Sequence, residues 1–258
     1  MGASVVDVGP RLAIVLVVLT ALAALAGRLS GLGQDRPVVV AAVRATVQLA
    51  VVSALLLAVV RSLWLSTAFV LLMVGVATVT ASARVTGRGL RDGRRAARLL
   101  PVALPILAGS VPVVGLVLAS GTVPLRGVAV IPVAGILIGG AMTATSLAGR
   151  RLRDELTDRR GEVEAALALG LLRRDAVLLI ARPVGATALV PPLDQTRTVG
   201  LVTLPGAFVG VLLGGGDPLE AGAAQLLVLL GLLAAEMLAV WAVTELIARG
   251  AVLDDVPE

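Results

Sequence analysis

The chain has 258 residues, a formal net charge of +5 and a mean hydropathy of +1.01, too apolar for a water-soluble domain of this length to bury without large exposed patches. It contains no Cys, His, Tyr or Lys, which excludes thiolate nucleophiles, imidazole bases, His/Cys metal sites, Schiff-base lysines and the Lys-containing phosphate loop of an ATPase. Two Trp and two Phe provide no stacking platform for bases, so the expected partner is a lipid bilayer and not nucleic acid.

Seven stretches are apolar enough to cross a bilayer as helices, which need about 20 residues. In chain order they cover residues 12–27, 38–60, 63–82, 99–119, 127–147, 198–214 and 221–247, and the first and sixth are short. Because backbone groups in hydrocarbon have no water to bond, spanning segments of this length are expected to be helical. We predict an all-α, polytopic transmembrane bundle of about seven spans that forms one domain over residues 1–258.

The arginines lie mostly in alternate loops. The arginines at residues 28–36, 84–98 and 150–182, together with Arg249, number 17 and lie on one side, whereas the opposite side has Arg11, Arg61 and Arg126. By the positive-inside rule the N-terminus is outside and the C-terminus cytoplasmic. A cleaved signal peptide over residues 1–27 is the alternative, but cleavage would place the six-arginine loop after span three outside.

The longest and most charged loop covers residues 149–183. Helix-favouring residues from Glu162 to Leu169 lead to Gly170, which suits a helix end. A second helical run, 171–181, is expected to end before Arg182 and Pro183. The sequence predicts a helix, turn, helix unit on the cytoplasmic face, with an ordinary amphipathic loop helix as the alternative.

A motif runs through this loop. Glu164-Ala165-Ala166 is followed after three residues by Gly170, and after nine more by residues 180–183, Ile-Ala-Arg-Pro. The spacing resembles the EAA loop of importer-type ABC permeases, with Arg182 where Leu is usual. The resemblance implies a coupling helix docked in a groove of a separate cytoplasmic ATPase, through Glu164, Ala165, Ala166, Gly170, Ile180 and Pro183. That ATPase would bind ATP and Mg²⁺, and this chain would bind no cofactor.

Further motifs cover most of the chain. They lie at residues 44–49, 142–150, 191–195, 199–206 and 214–218, and at Gln225. Together they resemble the FetB-type permeases, a family that includes bacterial iron exporters and plant aluminium-tolerance permeases. The resemblance implies a multi-pass permease of the bacterial inner membrane that works as a homodimer with a separate ATPase and exports metal ions. The chain departs from the family pattern at Asp194, where Asn is usual, and at residues 207–211, where Met and Gln are usual.

Several polar residues fall inside the apolar spans. A charged side chain at the bilayer centre costs about 2.5–3.5 kcal/mol on insertion scales, so such residues face protein or a water-filled path. The candidates for a substrate path are Arg44, Gln48, Asp194, Gln195, Arg197, Gln225 and Glu236. Their alternative role is interhelical contact. Glu245 lies near the end of its span and is expected to reach water.

Residues 184–214 contain Pro191, Pro192 and Pro205, so a single straight helix is not expected. A broken helix is tolerated where it is buried in protein or lines an aqueous cavity. Two interpretations stay open. The segment contacts substrate or acts as a gate, or residues 184–197 lie at the cytoplasmic interface and the span begins at Thr198.

Glycines recur every four residues in two spans. They are Gly206, Gly210 and Gly214 in one span and Gly135 and Gly139 in the other. Small residues at this spacing let helices approach closely, either within one protomer or between two copies.

With no Cys or His and only four Met, the sequence does not support a site for a soft metal ion. Hard cations prefer oxygen ligands, which Asp194, Gln195 and Glu236, with Asp217 and Glu220 outside, could supply. Three further hypotheses remain. They are an ABC permease for a non-metal solute, a secondary transporter driven by protons through Glu236, and a lipid enzyme using Asp194 and Glu236.

The first testable prediction concerns Arg44 and Glu236, which we expect to pair within the bundle. Reversing either charge alone should lower the amount of protein in the membrane, because it leaves two like charges in hydrocarbon. The double reversal should restore that amount in a membrane immunoblot. A double variant no more abundant than the single ones would argue against the pair.

Overall fold

The computed structural model describes residues 9–87 and 95–252, and this part of the chain contains ten α-helices and no strand. The helices are α1 (Pro10–Leu29), α2 (Asp35–Val59), α3 (Leu63–Thr86), α4 (Arg95–Ala119), α5 (Gly127–Asp158), α6 (Arg160–Ala168), α7 (Arg173–Ala186), α8 (Val190–Thr198), α9 (Gly206–Leu213) and α10 (Pro218–Ala248). A 3-10 turn, Thr187–Leu189, joins α7 to α8. The all-α prediction is confirmed. Arg88, Arg91 and Arg94 of the arginine-rich loop lie outside the described residues.

Seven helical segments of the described chain are long and apolar enough to cross a membrane, as predicted. The sixth differs from the prediction, because it covers 173–198 and not 198–214. The stretch 198–214 contains only α9, whose eight residues span about 12 Å, against about 30 Å of hydrocarbon. The interpretation in which a span begins at Thr198 is therefore wrong. The predicted loop also starts too early, since residues up to Asp158 belong to α5.

Three prolines explain why the sixth span was misplaced. The second loop helix was expected to end before Pro183, but α7 continues through Pro183 to Ala186. Pro191 and Pro192 lie in the first turn of α8, where a missing N–H leaves no intrahelical bond unmade. The Thr187 hydroxyl donates to the Val184 carbonyl at 2.6 Å, which satisfies a polar group beside the 3-10 turn. Proline here interrupts the span locally without ending it.

The chain separates into two compact units, residues 1–61 and 62–258, and the prediction of one domain remains untested. In the first unit, α1 and α2 pack against each other as a hairpin. The backbone at Gln34 and Asp35 lies against Gly27, where an added Cβ would be 3.3 Å from the Asp35 nitrogen. Nearly all other side chains of this hairpin are at least partly exposed and apolar, as expected of helices that face lipid.

The second unit is built around α5 and α10, which pack against each other and against α4 and α7. Its core is rich in alanine, and close approach is enforced at glycines that the sequence pattern did not single out. A Cβ on Gly109 would collide with the backbone oxygen of Ala235. One on Gly149 would lie 2.7 Å from a Val85 methyl group. Small residues therefore set the helix spacing in this unit.

The glycines that the four-residue spacing predicted behave differently. Gly135 faces the Met73 methyl group, which an added Cβ would approach to 2.8 Å. Gly214 lies close only to carbonyls of its own segment. Among the described residues, nothing lies within 4 Å of a Cβ added at Gly139, Gly206 or Gly210. Close packing of these three, within one protomer or between two copies, stays a prediction.

The second prediction tests the packing of α4. Gly109→Ala should destabilise the protein by about 1–3 kcal/mol, because the Ala235 carbonyl belongs to a helix backbone and cannot rotate away. Gly115→Ala on the same helix, where an added Cβ meets open space, is the matched control and should be neutral or slightly stabilising. Thermal unfolding in detergent measures both. Equal melting temperatures for the two variants would contradict the packing described here.

Candidate functional site

The loop between α5 and α7 folds as a short helix followed by a tight turn, which confirms the predicted order of helix, turn and helix, and its cytoplasmic placement stays a prediction. Gly170 has φ +89°, a conformation that favours glycine. The Gly170 N–H donates to the Leu167 carbonyl at 2.9 Å and the Leu171 N–H to the Ala166 carbonyl at 3.2 Å, which closes the end of α6. Gly170 thus ends α6 and forms the turn to α7, as predicted.

The residues of the EAA motif divide between surface and core. Glu164, Ala165 and Gly170 are exposed, as is Pro183. In contrast, Ala166 is buried, and Ile180 is 2% exposed and belongs to the hydrophobic core. The buried residues of the motif therefore pack α6 and α7 against the bundle, and its exposed residues form part of the protein surface.

Two exposed leucines at the turn escaped the sequence analysis. Leu169 is 82% exposed and Leu172 is 73% exposed, on either side of the Gly170 turn. Two neighbouring apolar side chains that are exposed beside a charged helix suit contact with a partner. These leucines could have been found in the sequence, because they lie beside a glycine that ends a helix in an otherwise charged segment.

Charged side chains at the start of α6 and within it form exposed ion pairs. Arg160 Nε donates to Glu164 Oε1 at 2.8 Å, and Arg159 donates to Glu162 at 2.6 Å and 2.8 Å. The Arg159 hydrogen bonds hold the pKa of the Glu162 carboxyl below its usual value. Exposed pairs of this kind contribute little stability, so a partner could rearrange them at small cost.

A stronger ion cluster joins the start of α7 to the end of α10. Arg174 donates from two nitrogens to both carboxylate oxygens of Glu245, at 2.5 Å and 2.9 Å, and Arg249 donates to the same carboxylate at 2.7 Å. The Glu245 side chain is only 17% exposed. The Arg173 guanidinium lies where a Cβ on Gly250 would collide with it. Glu245 does not simply reach water; it is the centre of a bridge between two helices.

Two of the predicted substrate-path residues, both on α10, are buried. Gln225, 4% exposed, accepts a hydrogen bond from the Phe208 N–H at 3.2 Å and so satisfies an amide near the start of α9. Glu236 is 8% exposed, and its Oε1 would be 2.8 Å from a Cβ on Gly140. The Gln225 oxygen is therefore engaged in holding α9, and Glu236 lies against α5.

The remaining substrate-path candidates are more exposed. Arg197 donates to Asp194 at 3.2 Å on α8, and Gln195 is exposed on the same helix. Arg44 and Gln48 are exposed on α2, in the first unit, so their roles and the pairing of Arg44 with Glu236 stay predictions. No group of three or more acidic side chains that could hold a metal ion occurs within residues 9–87 and 95–252.

A small cavity lies beside α9. It has a volume of about 180 Å³, and its walls come from the turn before α9 and from one face of α10. The lining is apolar except for Gln225, and includes Val199, Leu204, Phe208 and Leu229. The break in the chain before α9 therefore borders an apolar cavity, and a role of this segment in substrate contact or gating stays a prediction.

A family comparison identifies the protein. The model of the Uncharacterised protein family (UPF0014) matches residues 11–252. The chain belongs to this family. It is 38% identical over 216 residues to the UPF0014 membrane protein STAR2 of Oryza sativa subsp. japonica, which covers 81% of this chain and 73% of that protein. It is 31% identical over 196 residues to the UPF0014 membrane protein YjkA of Bacillus subtilis, covering 76% of each.

A further family relative is named for a function. The Probable iron export permease protein FetB of Escherichia coli is 31% identical over 125 residues, covering 48% of each chain. No solved structure matches this chain. With the seven apolar helices, family membership makes the chain a multi-pass membrane protein and supports a membrane permease, and the predicted resemblance to the FetB-type permeases is confirmed.

The third prediction concerns the support of α9. Gln225→Met keeps the side-chain length but leaves the Phe208 N–H without an acceptor, which should cost about 1–3 kcal/mol. Amide hydrogen exchange in α9 should therefore accelerate. Gln195→Met, at an exposed glutamine of α8, is the control and should leave that exchange unchanged. Unaltered protection of α9 in Gln225→Met would show that the bond does not hold the helix.

Proposed function

We propose that the chain is the membrane-spanning subunit of an ABC transporter and that a separate cytoplasmic ATPase docks on α6 and the following turn. The observation that carries the proposal is the exposed turn of the EAA-like segment, with Leu169 and Leu172 projecting from it. The second helix of this segment, α7, belongs to the sixth membrane span. A partner that moves the turn would therefore move a span directly.

The chemistry of the turn suits a protein partner. The apolar surface of the two leucines gains free energy when a groove removes it from water. Ala165 offers a small side chain that permits close approach, and the ion pair of Arg160 with Glu164 lies on the same short helix. The chain itself has no lysine for a phosphate-binding loop, so hydrolysis of ATP is assigned to the partner, which would hold the ATP and Mg²⁺.

Metal-ion export is the proposed activity. It is supported by the Escherichia coli relative, whose name describes an iron export permease. It is also supported by an Arabidopsis thaliana relative named Protein ALUMINUM SENSITIVE 3. That protein is 39% identical over 166 residues, which cover 64% of this chain and 58% of that protein. Iron and aluminium ions prefer oxygen ligands. Glu236 is the buried carboxylate available in the bundle, and a second copy of the chain, meeting the open glycine face of Gly206 and Gly210, would complete the path.

One observation favours a second candidate function. Glu236 is a buried carboxylate within a candidate membrane span, which is a feature of proton-driven transporters as well. The two mechanisms differ in their energy source. Collapsing the proton gradient while ATP is maintained should abolish transport in the secondary transporter and leave it largely intact in the ABC transporter.

The fourth prediction tests docking. Replacing Leu169 and Leu172 together by Glu should prevent co-purification of the ATPase, because two carboxylates would lose their hydration in an apolar groove. We expect binding to fall by about tenfold or more, which corresponds to about 1.4 kcal/mol. The measurement is a pull-down of ATPase candidates encoded beside this chain, followed by ATP hydrolysis.

The matched control is Leu201→Glu, an exposed leucine beyond the other end of the sixth span, which should leave ATPase binding unchanged. The absence of cysteine also allows Leu169→Cys to report the side of the turn. A membrane-impermeant maleimide should label it only after the cell membrane is opened. Labelling of intact cells would disprove the docking proposal.

A further inference from the structure

The junction of α7 with α10 lies between the proposed docking turn and the helix that contacts most of the second unit. In that unit α10 packs against α4, α5, α7, α8 and α9. We propose that Arg174, Glu245 and Arg249 form a clamp that transmits movement of the docking turn to α10. The inference rests on the proposed function and adds positioning residues to it.

The geometry of the clamp favours a firm connection. Arg174 is joined to Glu245 by two parallel hydrogen bonds, which fix orientation as well as distance in a way that a single bond does not. Arg249 donates to the same carboxylate from within α10 and limits its rotation. Next to it, the Arg173 guanidinium lies over the turn at Gly250, where the end of a helix carries partial negative charge.

The docking helix itself is held loosely. Val163 and Ala166 are its only buried residues, and its contacts within the described chain go mainly to α5 and α7. Leu172, the residue before α7, is exposed. A displacement of α6 by a partner therefore reaches α5, which it directly follows, and the start of α7, where Arg173 and Arg174 lie.

A second contact keeps α7 and α10 together. At Gly185 an added Cβ would lie 2.8 Å from the Thr244 hydroxyl and 3.7 Å from Val240, so the two helices touch without an intervening side chain. With the clamp at one point and this close approach at another, α10 is expected to follow α7. Through α10 the displacement reaches Gln225, which holds α9, and Glu236, which lies against α5.

The experiment uses the full chain in complex with its co-purified ATPase. Because the chain lacks cysteine, Leu219→Cys provides a single thiol near the start of α10, at the end opposite the clamp, on a residue that is 82% exposed. An environment-sensitive maleimide dye on this thiol reports movement when ATP is added. Arg174→Glu, Glu245→Arg and the double reversal are compared in this background.

We expect each single reversal to keep ATPase binding and to reduce the ATP-induced dye signal by about fivefold or more, the lower end of typical allosteric coupling. The double reversal should recover part of the signal, since the carboxylate and the guanidinium exchange places while Arg249 then lies beside a like charge. The control is Asp154→Arg, which breaks an ion pair between Asp154 and Arg153, two neighbouring residues of α5. This pair does not involve α10, so the signal should stay unchanged. If the Arg174→Glu variant does not insert into the membrane, the Arg174→Lys variant is used in its place. Lysine keeps the positive charge but cannot form the two parallel hydrogen bonds to Glu245, so the signal should also fall.

Three results would overturn the clamp. The first is an undiminished ATP-induced dye signal in the single variants. The second is a reduced signal that the double reversal does not raise. The third is the absence of any ATP-induced signal in the chain with an intact clamp. A complex that never forms with the intact chain would overturn the proposed function instead. ATPase binding and the dye signal thus separate the two proposals.

Discussion

A backbone amide or carbonyl in the hydrocarbon of a bilayer has no water to bond, and this constraint explains both the helices of this protein and the way in which they are interrupted. Where the chain leaves the α-helix between α8 and α9, local bonds take over. The Gly200 N–H donates to the Thr203 carbonyl at 2.9 Å, and the Val202 N–H donates to the Thr198 carbonyl at 3.0 Å. At the start of α9, the buried carboxamide of Gln225 supplies an acceptor for the Phe208 N–H. The interruption is therefore supported by the protein and borders a cavity.

Close packing of small residues determines which polar groups can lie inside the second unit. At Gly109 the backbone of α10 approaches α4 too closely to admit a methyl group. At Gly140 the absence of a side chain leaves room for the carboxylate of Glu236. Since lipid is as apolar as leucine, shape and buried polar contacts hold such helices together more than the hydrophobic effect does. One glycine thus lets two helices approach closely, and another makes space for a buried carboxyl group.

The charged end of the second unit combines a loose part with a firm part. Exposed ion pairs and two exposed leucines mark α6 and its turn, where a partner can bind at little cost to stability. The start of α7 is instead fastened to α10 by a fork of hydrogen bonds on a largely buried carboxylate. An arrangement of this kind suits a membrane permease driven from outside the membrane, because a movable surface is connected to a rigid helix.

The sequence by itself determined the all-helical class, the number of spans, the turn at Gly170 and the membrane permease family, because hydropathy, glycine and the EAA spacing are local signals. It misplaced the sixth span, because a proline in the first turn of α8 and another inside α7 give the same local signal as a helix end. Only the tertiary structure revealed the pairing of Arg174 with Glu245, which are 71 positions apart, although the spacing of Glu245 and Arg249 is itself a helical pair. It also decided which glycines are packed, since a four-residue repeat specifies a helix face but not the helix that lies against it.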